Sequence, residues 1–172
     1  LPFPDDEFYV VTCQTLLMHL TRPEIAIEEM SQITKPGGLV ICVEPNNLVN
    51  TIAFNSLTET QTVEEVTRVF EYWMRWQRGK QALGEGNNSI GDLVPGLLAG
   101  AGFIDIEVSG SDRAAPYIPP YDTEEQRGLL KQEQRWRDER IGTWNYENAR
   151  RYALAGGESE AFFESCWRQL RE

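Results

Sequence analysis

Two short apolar runs, Phe8–Cys13 and Leu39–Glu44, bracket one amphipathic stretch, Thr21–Ile33. Val- and Ile-rich runs on either side of a helical period predict a β-α-β unit with parallel strands in a covered sheet. Thr21 and Glu24 have capping-box spacing, and Pro23 is tolerated in a first helical turn. Ala26, Met30 and Ile33 fall on one helical face. Lys35-Pro36-Gly37-Gly38 is expected to stop the helix with a cation, a residue that cannot continue and two that turn freely.

Further on, Thr62 and Glu65 again have capping-box spacing, followed by a stripe of Val63, Val66, Phe70 and Trp73, widened by Val69, Trp76 and Tyr72. Gly79 and Gly84–Asn88 read as a loop. Asp92 and Pro95 then suit the start of a helix with Leu93, Leu97, Leu98 and Ala101 on its apolar face. Ile104, Ile106 and Val108 alternate with Asp105 and Glu107, the pattern of a half-exposed edge strand. Three helices close the chain, over Thr123–Arg140, Glu147–Leu154 and Ser159–Leu170.

LPFPDDEFYVVTCQTLLMHL followed by ITKPGGLVICVEP resembles the class I S-adenosylmethionine-dependent methyltransferases. The resemblance makes these runs the family's fourth strand, the next helix, a Pro-Gly-Gly turn and the fifth strand. Gly91–Leu98 with Ala101-Gly102-Phe103 is similar to the segment leading into the sixth strand. Tyr9 departs from the pattern, which usually has Asp after Phe. The expected fold is therefore α/β and Rossmann-like: a partial parallel sheet with helices on both faces, plus a C-terminal helical extension. Residues 1–110 would form the C-terminal part of the core, with a helical lid inserted at about 48–86, and residues 111–172 the extension. The family's Gly-rich turn and its acidic ribose partner have no counterpart in this sequence, so the expectation is the C-terminal portion of a longer parent enzyme, weak or inactive alone.

The chain has 172 residues and a net charge of −11, from 16 basic and 27 acidic side chains. That balance argues against nucleic acid and against anionic membrane surfaces, which are gripped through Lys and Arg. No apolar run reaches bilayer-spanning length. Cys13, Cys42 and Cys166 have no metal-like spacing, so no metal site is expected, and a reducing, cytoplasmic setting fits them.

Ligands of open α/β sheets gather at the carboxyl ends of the strands. Gln14 and Thr15 stand there and, with Leu1, are the candidate contacts to S-adenosylmethionine. His19, the one histidine, is a candidate general base; the alternative is packing, since it lies in an apolar run. Glu44 and Asn46, on the same edge, could orient a substrate or merely end the strand. Tyr72, Trp73 and Trp76 could line a lid over a substrate, or be ordinary helix core. The expected reaction is in-line methyl transfer to a small-molecule acceptor, which needs alignment more than a catalytic dyad. The rival expectation is a non-catalytic fragment or degenerate copy serving as a binding or oligomerisation module. With no first strand beside it, Phe8–Cys13 would be an open edge, hence an expected homodimer or swapped oligomer.

Overall fold

Strands β1 (Phe8–Gln14) and β2 (Thr34–Val43) pair in parallel, with helix α1 (Pro23–Ile33) joining them. The β-α-β unit is thus formed as its hydrophobic pattern requires. The computed structural model describes residues 1–49, 59–110 and 119–171. These fall into two compact units, 1–47 with 80–110, and 48–79 with 111–172.

In the first unit, side chains alternate across the two strands. Val11, Cys13, Val40 and Cys42 face a core built from Ile27 and Met30 of α1, Val94, Leu97 and Leu98 of α3 (Val94–Gly100), and Leu17, Met18 and Ile90. Ile27 and Leu17 are fully buried. The opposite face is open: Val10, Leu39, Ile41 and Val43 are 53, 54, 41 and 53% exposed. The sheet expected to be covered on both faces is therefore covered on one, because α1 and α3 both pack on the same side.

Three local expectations are corrected. Thr21 does not cap α1. Arg22 occupies that position without a side-chain cap, and the Thr21 hydroxyl donates instead to the Gly84 carbonyl. The Lys35–Gly38 run does not separate helix from strand. Thr34 is already extended, its hydroxyl donating to Met30 O at 2.6 Å, and β2 starts there. The Pro-Gly-Gly run is a bulge inside β2, where pairing jumps from Phe8↔Thr34 to Val10↔Leu39. Gly37 takes φ +76° within it, a conformation glycine adopts freely. The bulge also brings Lys35 Nζ to 4.2 Å from the centre of the exposed Tyr9 ring, a cation–π contact that gives Tyr9 a local role. Third, 104–108 forms no strand. Among the described residues the sheet has only β1 and β2, and Ile104 and Val108 are 83 and 72% exposed. An alternating pattern becomes a strand only when a neighbour supplies the ladder.

The second unit is helical: most of α2 (Val63–Ala82), then α4 (Glu124–Asp138), α5 (Tyr146–Ala155) and α6 (Glu160–Gln169). Local capping signals hold here. Thr62 N donates to Glu65 Oε2 at 2.7 Å and Glu65 N to Thr62 Oγ1 at 3.2 Å, a full capping box, and Thr123 with Gln126 makes another. The core is aromatic: Tyr72, Trp76, Tyr152, Phe163 and Trp167, closed by Ala149, Ala153 and Cys166. Two glycines let α2 meet the end of α5. A Cβ on Gly79 would lie 1.7 Å from Tyr152 O, and one on Gly156 would lie 1.9 Å from Arg75 O.

Candidate functional site

The carboxyl ends of β1 and β2 are where a doubly wound sheet offers space to a ligand. β1 ends at Gln14. Thr15 follows in the left-handed region, φ 47°, which costs a β-branched residue energy and needs support from its surroundings. The support is visible: Thr15 N donates to Val43 O at 2.9 Å. The chain then turns through a single 3-10 turn, Leu17–His19, that drives Leu17 and Met18 into the core.

Glu44 holds that turn. Its Oε1 accepts from Leu16 N at 2.8 Å and Leu17 N at 2.9 Å, and its Oε2 from Met18 N at 3.1 Å. A carboxylate receiving three backbone donors in a partly buried place is a strong anchor. Both oxygens are engaged by main chain, so Glu44 positions the loop after β1.

The neighbouring loop is tied in the same way. Asn46 Nδ2 donates to Asp92 Oδ2 at 2.6 Å, and Asn47 Nδ2 to Asn88 O at 2.8 Å. Asp92 therefore bridges two loops and does not cap α3, whose first residue follows Leu93 without a side-chain cap. Lys80 is buried, and its ammonium donates to Asn88 Oδ1. Burial draws the Lys80 amine below the ordinary lysine range, with Glu85 opposing. Gly86, φ +87°, packs its Cα against the backbone of Met18 and His19, where a Cβ would be 2.3 Å from Met18 O. Lys80, Asn88 and Asp92 carried no site signal in the sequence: Lys80 falls in the last turn of α2, Asn88 in a Gly- and Asn-rich loop, and Asp92 at a helix start.

Gln14, Thr15 and His19 are all exposed on this edge. The packing alternative for His19 is thus not what the structure shows: Leu17 and Met18 go inward and His19 stays out. Leu1 is exposed ahead of β1. Tyr72, Trp73 and Trp76 belong to the helical unit. Tyr72 is fully buried, 5.0 Å from Trp73 and 6.2 Å from Phe163 between ring centres, and Trp76 lies 4.9 Å from Tyr152. They pack as core, and only Trp73 is half-exposed. An open groove of about 390 Å³ in this unit is lined by Glu64, Glu65, Arg68, Ser165, Arg168 and Gln169, surface groups of both signs that include none of the expected site residues. Among the described residues, no group of three or more acidic, His or Cys side chains could hold a metal ion, and no helix is long and apolar enough to cross a membrane.

Residues 1–42, which contain β1, α1 and nearly all of β2, match the family described as methyltransferase domain. This segment is similar to methyltransferase sequence. An uncharacterized methyltransferase of Schizosaccharomyces pombe is 46% identical over 48 residues, 28% of this chain and 17% of that protein. A ubiquinone/menaquinone biosynthesis C-methyltransferase of Burkholderia cenocepacia is 46% identical over 44 residues, and a demethylmenaquinone methyltransferase of Staphylococcus carnosus 43% over 44; each match covers 26% of this chain and 18% of the relative. The match thus spans under a fifth of each relative's length. Within the matched segment lie Gln14, Thr15 and His19; Glu44, which holds the amides of Leu16, Leu17 and Met18 between Thr15 and His19, follows two residues after the family match ends.

Proposed function

We propose that the chain serves S-adenosylmethionine-dependent methyl transfer to a small-molecule acceptor, supplying the carboxyl edge of a Rossmann-like sheet. The observation that carries this reading is the exposed Gln14–Thr15 pair at the strand end, Thr15 N held by Val43 O and the turn that follows held by Glu44, in and beside a segment that matches the methyltransferase domain. An amide and a hydroxyl presented at strand ends fit a hydroxyl- and amine-bearing cofactor, so Gln14 and Thr15 would hold it. When bound, S-adenosylmethionine supplies an electrophilic methyl on a sulfonium. The protein's part is orientation and exclusion of water. His19, exposed beside the turn, accepts the proton of an acceptor hydroxyl or amine where one must be lost. The net charge of −11 disfavours nucleic acid as acceptor. Relatives named for quinone biosynthesis favour a small ring compound. Three unpaired cysteines suit a reducing, cytoplasmic setting.

Two side chains on one turn make a weak site. Equilibrium dialysis against labelled S-adenosylmethionine tests the reading. Binding weaker than about 100 µM, displaced by S-adenosylhomocysteine but not by NADH and lost in Gln14→Ala, supports it. Binding untouched by Gln14→Ala, a preference for NADH, or no binding at millimolar ligand sinks it.

One observation favours a second reading. The open apolar face of Val10, Leu39, Ile41 and Val43 suits an oligomerisation module in which a second copy covers it about a two-fold axis. Light scattering should then report a dimer that Leu39→Lys with Ile41→Lys converts to monomer. A wild-type chain that is monomeric at every concentration removes this reading.

A further inference from the structure

Cys13 on β1 and Cys42 on β2 are register partners in the parallel pair. Neighbouring strands run about 4.8 Å apart, within the roughly 4.4–6.8 Å between Cα atoms that a disulfide spans. Both side chains leave the sheet on the covered face and reach the same cluster. The Cys13 thiol lies 3.9 Å from Glu44 Oε1, the acceptor of its hydrogen bond. Cys166 is buried in the other unit and serves as an internal control.

We propose that Cys13 and Cys42 are a redox-active dithiol, which closes to an intrachain disulfide across β1 and β2 by exchange with a low-molecular-weight disulfide such as oxidised glutathione. The two thiols are unlike. Cys42 is half-exposed, so an incoming disulfide can reach its sulfur. Cys13 is buried among Leu17, Ile27 and Met30, out of reach of an incoming disulfide. Cys42 therefore attacks first, as thiolate. It forms a mixed disulfide and releases one glutathione thiolate. Cys13 then attacks the Cys42 sulfur and releases the second. The two protons given up by the cysteines go to the two glutathione thiolates. Two protein thiols are oxidised and one small disulfide is reduced to two thiols. The new bond ties the strands one residue before Gln14, at the edge that Glu44 organises.

The test starts from the unsubstituted 172-residue chain. It is incubated with oxidised glutathione, quenched in acid, alkylated and digested. The intact mass should fall by two hydrogens, a Cys13–Cys42 linked peptide should appear, Cys166 should be fully alkylated, and dithiothreitol should restore the starting mass. In Cys13→Ala the reaction should stop with glutathione retained on Cys42. In Cys42→Ala, Cys13 should take up none. Free thiols at both positions after treatment, a link that involves Cys166, or the same link forming equally fast in concentrated urea, where strand pairing is gone, overturns the proposal.

Discussion

Replacing Glu44 with Gln isolates what one carboxylate does for the site. The wild-type side chain accepts three main-chain N–H groups, at 2.8, 2.9 and 3.1 Å, from residues that flank the fully buried Leu17. A hydrogen bond to a charged group is worth about 1.5–3 kcal/mol net. Gln keeps one carbonyl oxygen for Leu16 and Leu17, but its amide nitrogen then meets Met18 N–H, donor against donor. One charge-assisted bond is lost and two become neutral; the lost bond alone makes the turn weaker by at least about 2 kcal/mol. Amide hydrogen exchange at Leu16, Leu17 and Met18 reads this directly, because local opening costs its own free energy. The three amides should exchange at least about 30-fold faster, while those of α1 keep their rates. Exchange within about threefold of wild type at all three sites would refute the reasoning. It would mean that burial of Leu17 and Met18 holds the turn, and that the carboxylate merely follows.

Two other perturbations address the helical unit. Gly79→Ala would place a methyl 1.7 Å from Tyr152 O, backbone against backbone, so α2 and α5 must separate; a loss of at least about 2 kcal/mol in thermal or urea unfolding is expected, and an unchanged midpoint would show that the helices do not cross so closely. Glu158, its side chain 3% exposed, lies 2.8 Å from Arg75 Nε in an ion pair without hydrogen-bond alignment. Desolvation raises its carboxyl above the usual 4.5, Arg75 opposing. A raised folded pKa means that the folded state binds the extra proton, so this contribution is present below pH 4.5 and is lost as pH climbs through the raised value. Melting temperatures of wild type and Glu158→Gln, compared from pH 4.5 upward, should therefore shift in favour of the Gln variant; a gap that moves the other way would show that the Arg75 attraction outweighs burial.

How much the sequence determined depended on range. The β-α-β unit, α2 and the three C-terminal helices follow from local periodicity, and the Thr62/Glu65 and Thr123/Gln126 caps from hydrogen bonds that reach three residues. The methyltransferase resemblance was legible because it resides in the contiguous run 1–42. Thr21 and Glu24 carried the same local signal as the two real caps, yet a carbonyl at Gly84, distant in sequence, took the hydroxyl. The 104–108 run had the right alternation and no partner strand among the described residues. Tyr72 and Trp76 showed an apolar stripe, but only assembly decided that Phe163 and Tyr152 would fill the space in front of it. Glu44 is the clearest case. Its position at a strand end marked it as interesting, while its role comes from amides 26 to 28 residues earlier in the chain. Propensity and capping act among atoms that are neighbours by covalent connection. The partner of a carboxylate, an edge strand or an aromatic face is chosen only when distant segments are packed together, and no spacing rule encodes that choice.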